Sequence, residues 1–84
     1  VKVYKWNVPV DDHYHPIGSG KVVHVATLSA KAVSVWTEHE DGSTASRPAR
    51  VYVTGQPIPD NEEHLGTVIT TNGKSAWHVY GGTS

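Results

Sequence analysis

Val22-Val23-His24-Val25-Ala26-Thr27-Leu28, then Ser29-Ala30-Lys31, then Ala32-Val33-Ser34-Val35-Trp36-Thr37-Glu38, is the stretch that decides the fold class. β-Branched residues recur at every second position on both sides of a short polar interruption, the period of a strand rather than a helix. If the three-residue loop closes a hairpin, Val25 faces Val35, Thr27 faces Val33 and Val23 faces Thr37. That face is predicted to be core. The other face then carries Val22, His24, Ala26 and Leu28 beside Ala32, Ser34, Trp36 and Glu38, with His24 directly opposite Trp36.

The flanking sequence repeats the theme. Thirteen valines, three isoleucines and eight threonines dominate, against two leucines and no phenylalanine for helix cores. Val1 to Trp6 reads as an edge strand guarded by Lys2 and Lys5 and ended by Pro9. Val10 to Gly20 is rich in turn formers and reads as a loop with a short strand near Tyr14. His39 to Ala49 reads as a polar loop, the place where disorder is expected first. Arg50 to Thr54 is the next strand, with Val51 and Val53 on one face and Tyr52 on the other. Pro57-Ile58-Pro59 fixes φ at two sites and removes two donors, so it is expected to leave the sheet as a proline-rich crossover, with Ile58 packed inward. Asn72-Gly73 is a strong hairpin signal. A two-residue turn there sets Ile69 opposite Ala76, Val68 opposite Trp77, Thr67 opposite His78 and Leu65 opposite Tyr80. Gly81 to Ser84 is expected to be a flexible tail.

Eighty-four residues make one domain, 1–84, with a thin core, since a chain of this size buries only about 60% of its unfolded surface. The expectation is an all-β single antiparallel barrel or sandwich of about six strands. Net charge −1 and pI near 6.6 provide no basic excess for nucleic acid. No apolar run reaches the roughly eighteen residues of a membrane helix. The absence of cysteine removes disulfides and thiolate metal sites.

Six histidines require metal chemistry to be weighed. His13 and His15 would share a face if Tyr14 lay in a strand, with Asp11, Glu38 or His64 as further ligands, but no spacing among them is diagnostic and no cofactor is expected. The adjacent pairs Asp11-Asp12 and Glu62-Glu63 read as solvated or capping loop carboxylates. No serine or threonine lies in a nucleophile elbow or a phosphate-cradling loop, so the reading is non-enzymatic. The aromatic residues are more informative, because tyrosine and tryptophan are typical interface anchors. Tyr4, Trp6, Trp36, Tyr52 and Tyr80 could share the non-valine side of their strands. The expected partner-binding surface is Trp36, Tyr52 and His24 together with Gln56, Ile58 and His64 along the crossover.

Several motifs carry a resemblance: Val3-Tyr4-Lys5 with Val8-Pro9-Val10-Asp11-Asp12, Tyr14-His15, Val33-Ser34-Val35-Trp36, Val51 to Pro59, His64-Leu65-Gly66-Thr67 and Trp77-His78-Val79-Tyr80. Together they make the chain resemble an uncharacterised family, a domain of unknown function, of small proteins from actinobacteriophages and actinobacteria. Members often read Phe-Gly-Thr-Gly where this chain has Tyr52-Val53-Thr54-Gly55. The resemblance implies a phage setting and supplies no activity, ligand or catalytic residue. The resulting expectation is a non-catalytic phage accessory protein in the cytoplasm of an infected host, binding a host or defence protein or a small ligand through an aromatic β-face. The alternative is a virion component, such as a capsid decoration or minor capsid protein acting as a symmetric homo-oligomer.

Overall fold

The computed structural model describes residues 1–40, 45–70 and 73–82. Among the described residues there are seven strands and no helix: β1 (Lys2–Pro9), β2 (His15–Gly18), β3 (Lys21–Ser29), β4 (Ala32–His39), β5 (Ser46–Val53), β6 (Glu63–Ile69) and β7 (Ala76–Gly81). They form two antiparallel sheets, one ordered β1-β4-β3 and the other β2-β5-β7-β6. The sheets stack as a small sandwich, with β1 lying over β2 and β5 and β3 lying over β6. Thr27 on β3 donates to the Ile69 carbonyl at 3.0 Å, tying the two edge strands β3 and β6 together.

The core lies between the sheets and is built from the predicted valines. Val8, Val33 and Val35 from one sheet meet Ile17, Ala49, Val51, Val79, Val68 and Trp77 from the other, with Trp6, Val22, Val25 and Leu65 packed at its margins. Burying each such aliphatic side chain contributes roughly 1.5–3 kcal/mol. At one end of the core Trp6 Nε1 donates to Thr37 Oγ1 at 2.8 Å, and Thr37 Oγ1 lies 2.7 Å from His39 Nε2. Thr37 and His39 are both buried, so these bonds satisfy polar groups that water does not reach.

The β3–β4 register agrees with expectation at Val25↔Val35, Thr27↔Val33 and His24↔Trp36. It departs at Val23 and at the turn, where Ser29 is the last residue of β3 and pairs with Ala32, so a bulge at Leu28 and the two residues Ala30-Lys31 replace the expected three-residue loop. A bulge between Val22 and His24 sets Val22 opposite Thr37 and turns Val23 out to 44% exposure. The β6–β7 register likewise agrees at Ile69↔Ala76, Val68↔Trp77 and Thr67↔His78, and departs at Leu65. A bulge between His64 and Gly66 places His64, not Leu65, opposite Tyr80 and leaves Leu65 packed against the core.

Parts of two stretches expected to be loose belong to strands. Ser46 to Ala49 belongs to β5, with Pro48 opposite Pro16, and only residues 41–44 of the polar-loop expectation lie outside the described residues. Gly81 closes β7, and the Gly82 N–H donates to the Pro48 carbonyl at 2.9 Å. The remaining tail, 83–84, lies outside the described residues, as does Asn72 of the hairpin turn; Gly73 has φ 71°. Val53, expected to share the buried face with Val51, lies at the end of its strand and is 44% exposed.

Candidate polar-aromatic binding face

Strand alternation gives the four-stranded sheet an outer face opposite its valines. Pro48, Arg50 and Tyr52 of β5 lie there beside His78 and Tyr80 of β7, through the pairs Arg50↔Tyr80 and Tyr52↔His78. Thr67 of β6 shares this face opposite His78, and the bulge at Leu65 adds His64 opposite Tyr80. Tyr14, just before β2, and Glu62, just before β6, close over it from two sides.

Glu62 is the hub. Tyr52 donates to its carboxylate, with Oε1 at 3.0 Å and Oε2 at 3.1 Å, and Tyr14 also donates to Oε2. The two phenol oxygens are 3.2 Å apart. Tyr52 is buried and Tyr14 is 45% exposed, so the pair runs from the sheet surface out to solvent. Burial first, and then the hydrogen bonds with Tyr14 and Glu62, push the Tyr52 hydroxyl well above the usual phenol range.

Arg50 supplies the cation. Its guanidinium stands 4.8 Å from the Tyr52 ring centre and 5.8 Å from that of Tyr14, within cation–π reach of both. Its Nη2 lies 3.5 Å from Asp12 Oδ1, while its buried Nε has no hydrogen-bond partner. Asp12 adopts φ 63°, a left-handed conformation that aspartate tolerates better than most residues. The same Asp12 oxygen accepts from Gln56 Nε2 at 3.3 Å, and Gln56 Oε1 accepts from the Val53 N–H at 3.1 Å. Gln56 thus fastens the chain leaving β5 to the turn before β2.

Tyr80 extends the face. Its ring meets Tyr52 edge-on at 5.8 Å and His64 at 5.1 Å. From His64 a chain of hydrogen bonds crosses the sheet: Nε2 to Thr67 Oγ1 at 2.8 Å, Thr67 Oγ1 to His78 Nδ1 at 3.0 Å, and His78 Nε2 to Thr54 Oγ1 at 3.0 Å. Each side chain on this face is held by at least one neighbour. Such pre-ordering lowers the entropy lost on binding.

Five of the six residues expected to form one surface divide between two. Tyr52, Gln56 and His64 belong to this face, and Ile58 is half-buried in the segment between β5 and β6. His24 and Trp36 lie on the outer face of the three-stranded sheet, where their rings are 5.2 Å apart and Lys5 Nζ is 5.7 Å from the Trp36 centre. Trp6 and Tyr4 belong to neither outer face, because Trp6 donates to Thr37 and the Tyr4 ring packs 5.5 Å from His39. Tyr14, Arg50 and Glu62 were missed as anchors. Proximity to Tyr52 in the fold is what recruits them.

His13 precedes β2 and Tyr14 is not in a strand, so the alternation that would pair His13 with His15 does not hold. His15 instead places Nε2 2.8 Å from Asp11 Oδ1, and that bond is the main cause holding the Asp11 carboxyl below its usual range. No cluster of three or more metal-ligating side chains occurs among the described residues. Among the described residues there is no helix, and so none long and apolar enough to cross a membrane.

Across residues 1–84 the sequence matches the family described as Domain of unknown function (DUF7352). The chain belongs to that family. No curated protein and no solved structure matches it. For this DUF7352 domain, the side-chain arrangement itself is therefore the ground for any functional reading.

Proposed function

We propose that this DUF7352 domain is a non-catalytic binding module that meets a protein partner through the outer face of its four-stranded sheet. The observation that carries the reading is the Tyr14–Tyr52–Glu62 hydrogen-bonded cluster with Arg50 stacked on both rings. Tyrosine and arginine are the residue types that dominate binding hot spots, and here they are held in place before a partner arrives. In the phage setting that the sequence resemblance implies, the partner is a host or defence protein and the module works in the infected cell. Among the described residues, the aromatic pair His24–Trp36 on the other sheet is joined by a ring contact and by Lys5 rather than by a hydrogen-bonded network.

Affinity capture from infected actinobacterial cells tests this reading, using the intact domain and two folded double variants. His64→Ala with Tyr80→Ala is expected to lose a partner that His24→Ala with Trp36→Ala retains. The reverse pattern would transfer the function to the three-stranded sheet.

A second reading, a virion component working as a symmetric oligomer, is favoured by one observation. Ile69, at the end of edge strand β6, is 61% exposed beside Ala76 and near the 44% exposed Val53. Abundant protein in purified virions by mass spectrometry, with a single oligomer by light scattering, would support this reading over the first.

A further inference from the structure

Beside Tyr14, the same face carries a ridge flanked by two depressions. Pro16 of β2 pairs with Pro48 of β5, and Tyr14 rises next to them. Two shallow depressions of about 290 and 370 Å³ flank this ridge and share Tyr14 and Pro48 as walls; the first is completed by Pro16 and Ser46, the second by Asn61 and Glu62. An aromatic ring between proline-lined hollows suits a polyproline II ligand, whose side chains repeat every three residues, roughly 9 Å, on one side of the helix. Such a ligand is already extended, so little entropy is lost when it docks.

The charges give the ligand a direction. The Glu62 carboxylate lines the second depression, and its hydrogen bonds come from the tyrosine hydroxyls of Tyr14 and Tyr52. The two nearby arginines are engaged elsewhere: Arg47 Nη1 lies 3.2 Å from Glu63, and Arg50 pairs with Asp12. A basic ligand residue beside Glu62 would complete the pairing. The domain's own proline segment, Pro57-Ile58-Pro59, is followed by Asp60, which would place a carboxylate near Glu62, so charge disfavours a second copy as the occupant.

Resting on the binding reading above, we propose that the ridge of Tyr14 and Pro48, with the depressions on either side of it, takes an extended proline-rich segment of the partner, with an arginine or lysine seated against Glu62. Three synthetic peptides test it by amide NMR titration of the full domain. One has alternating prolines flanked by arginine, one has glutamate in place of that arginine, and one has alanine in place of the prolines. The arginine peptide is expected to shift residues around Tyr14, Pro48, Asn61 and Gly82 and to bind about tenfold more tightly than the glutamate peptide, the effect of one charge pair. Tyr14→Ala should abolish binding and Tyr14→Phe should keep it, while Glu62→Gln should erase the charge preference and leave residual binding. No shifts at millimolar peptide, shifts confined to other surfaces, equal binding of the alanine peptide, or no charge preference would each overturn the proposal. Concentration-dependent self-association abolished by Pro57→Ala would also overturn it, by making a second copy the occupant. Loss of captured partner in His64→Ala with Tyr80→Ala, alongside failure of all three peptides, would keep the binding face and reject the proline-rich ligand.

Discussion

Gly66 on β6 presses its backbone against Val25 on β3: a Cβ at Gly66 would come within 2.5 Å of Val25 Cγ2. This contact joins the two sheets beside the bulge that sends Leu65 to the core and His64 to the outer face. A methyl group there forces either the strands apart or Val25 off its rotamer. Gly66→Ala should therefore destabilise the domain by about 1–3 kcal/mol. Combining it with Val25→Ala makes room for the methyl, and the double-mutant cycle by urea denaturation should show favourable coupling of roughly 0.5–3 kcal/mol. Strict additivity would show that the two residues do not touch.

Tyr52 provides a pH prediction with a definite sign. Its hydroxyl keeps its proton to higher pH in the folded state than in the unfolded chain, where it titrates near the ordinary 10.0. Stability linked to this proton is complete below that value and falls as pH rises through it toward the folded-state value, because only the unfolded chain releases the proton. The urea midpoint should decline above about pH 10. Tyr52→Phe should flatten that decline while costing about 1–3 kcal/mol at neutral pH from the lost bond to Glu62. Ultraviolet difference titration against Tyr52→Phe should show the Tyr52 phenol ionising only with unfolding.

Asp11 gives the acid counterpart. The hydrogen bond from His15 lowers its folded-state pKa from 3.8, so its small, solvent-screened contribution is present above that value and is lost as pH falls through the folded pKa. His15→Ala should return the carboxyl toward 3.8, read by carboxyl-carbon NMR titration. An unchanged titration would place the cause elsewhere.

Thr37 tests the buried polar corner. Thr37→Val keeps the shape but leaves Trp6 Nε1 and His39 Nε2 without their shared oxygen. A loss of about 1–3 kcal/mol in thermal or urea unfolding is expected, and a neutral result would show that water reaches the pair.

Much of this architecture was legible because strand alternation is a local signal. The pairs Val25↔Val35, His24↔Trp36 and Val68↔Trp77 follow from period two and short hairpins. The bulges at Val23 and Leu65 were not read from the pattern, since an extra residue leaves the flanking alternation intact on each side. Gly66, a glycine inside a strand, was the one residue that could have signalled the second bulge. Alternation also placed Tyr52 opposite its valine neighbours. It could not assign strands to sheets, so Trp36 and Tyr52 were grouped although they occupy opposite outer faces. Glu62 and Tyr14 read as loop residues because their meeting at Tyr52 depends on the tertiary arrangement.

Binding is proposed at the outer face of the four-stranded sheet. Amide hydrogen exchange of the domain, free and with its captured partner, measures this most directly. Slowed exchange is expected at Tyr14, Arg50 to Tyr52, Glu62 to His64 and His78 to Tyr80, with Lys5, His24 and Trp36 unchanged. Protection confined to Lys5, His24 and Trp36 would contradict it.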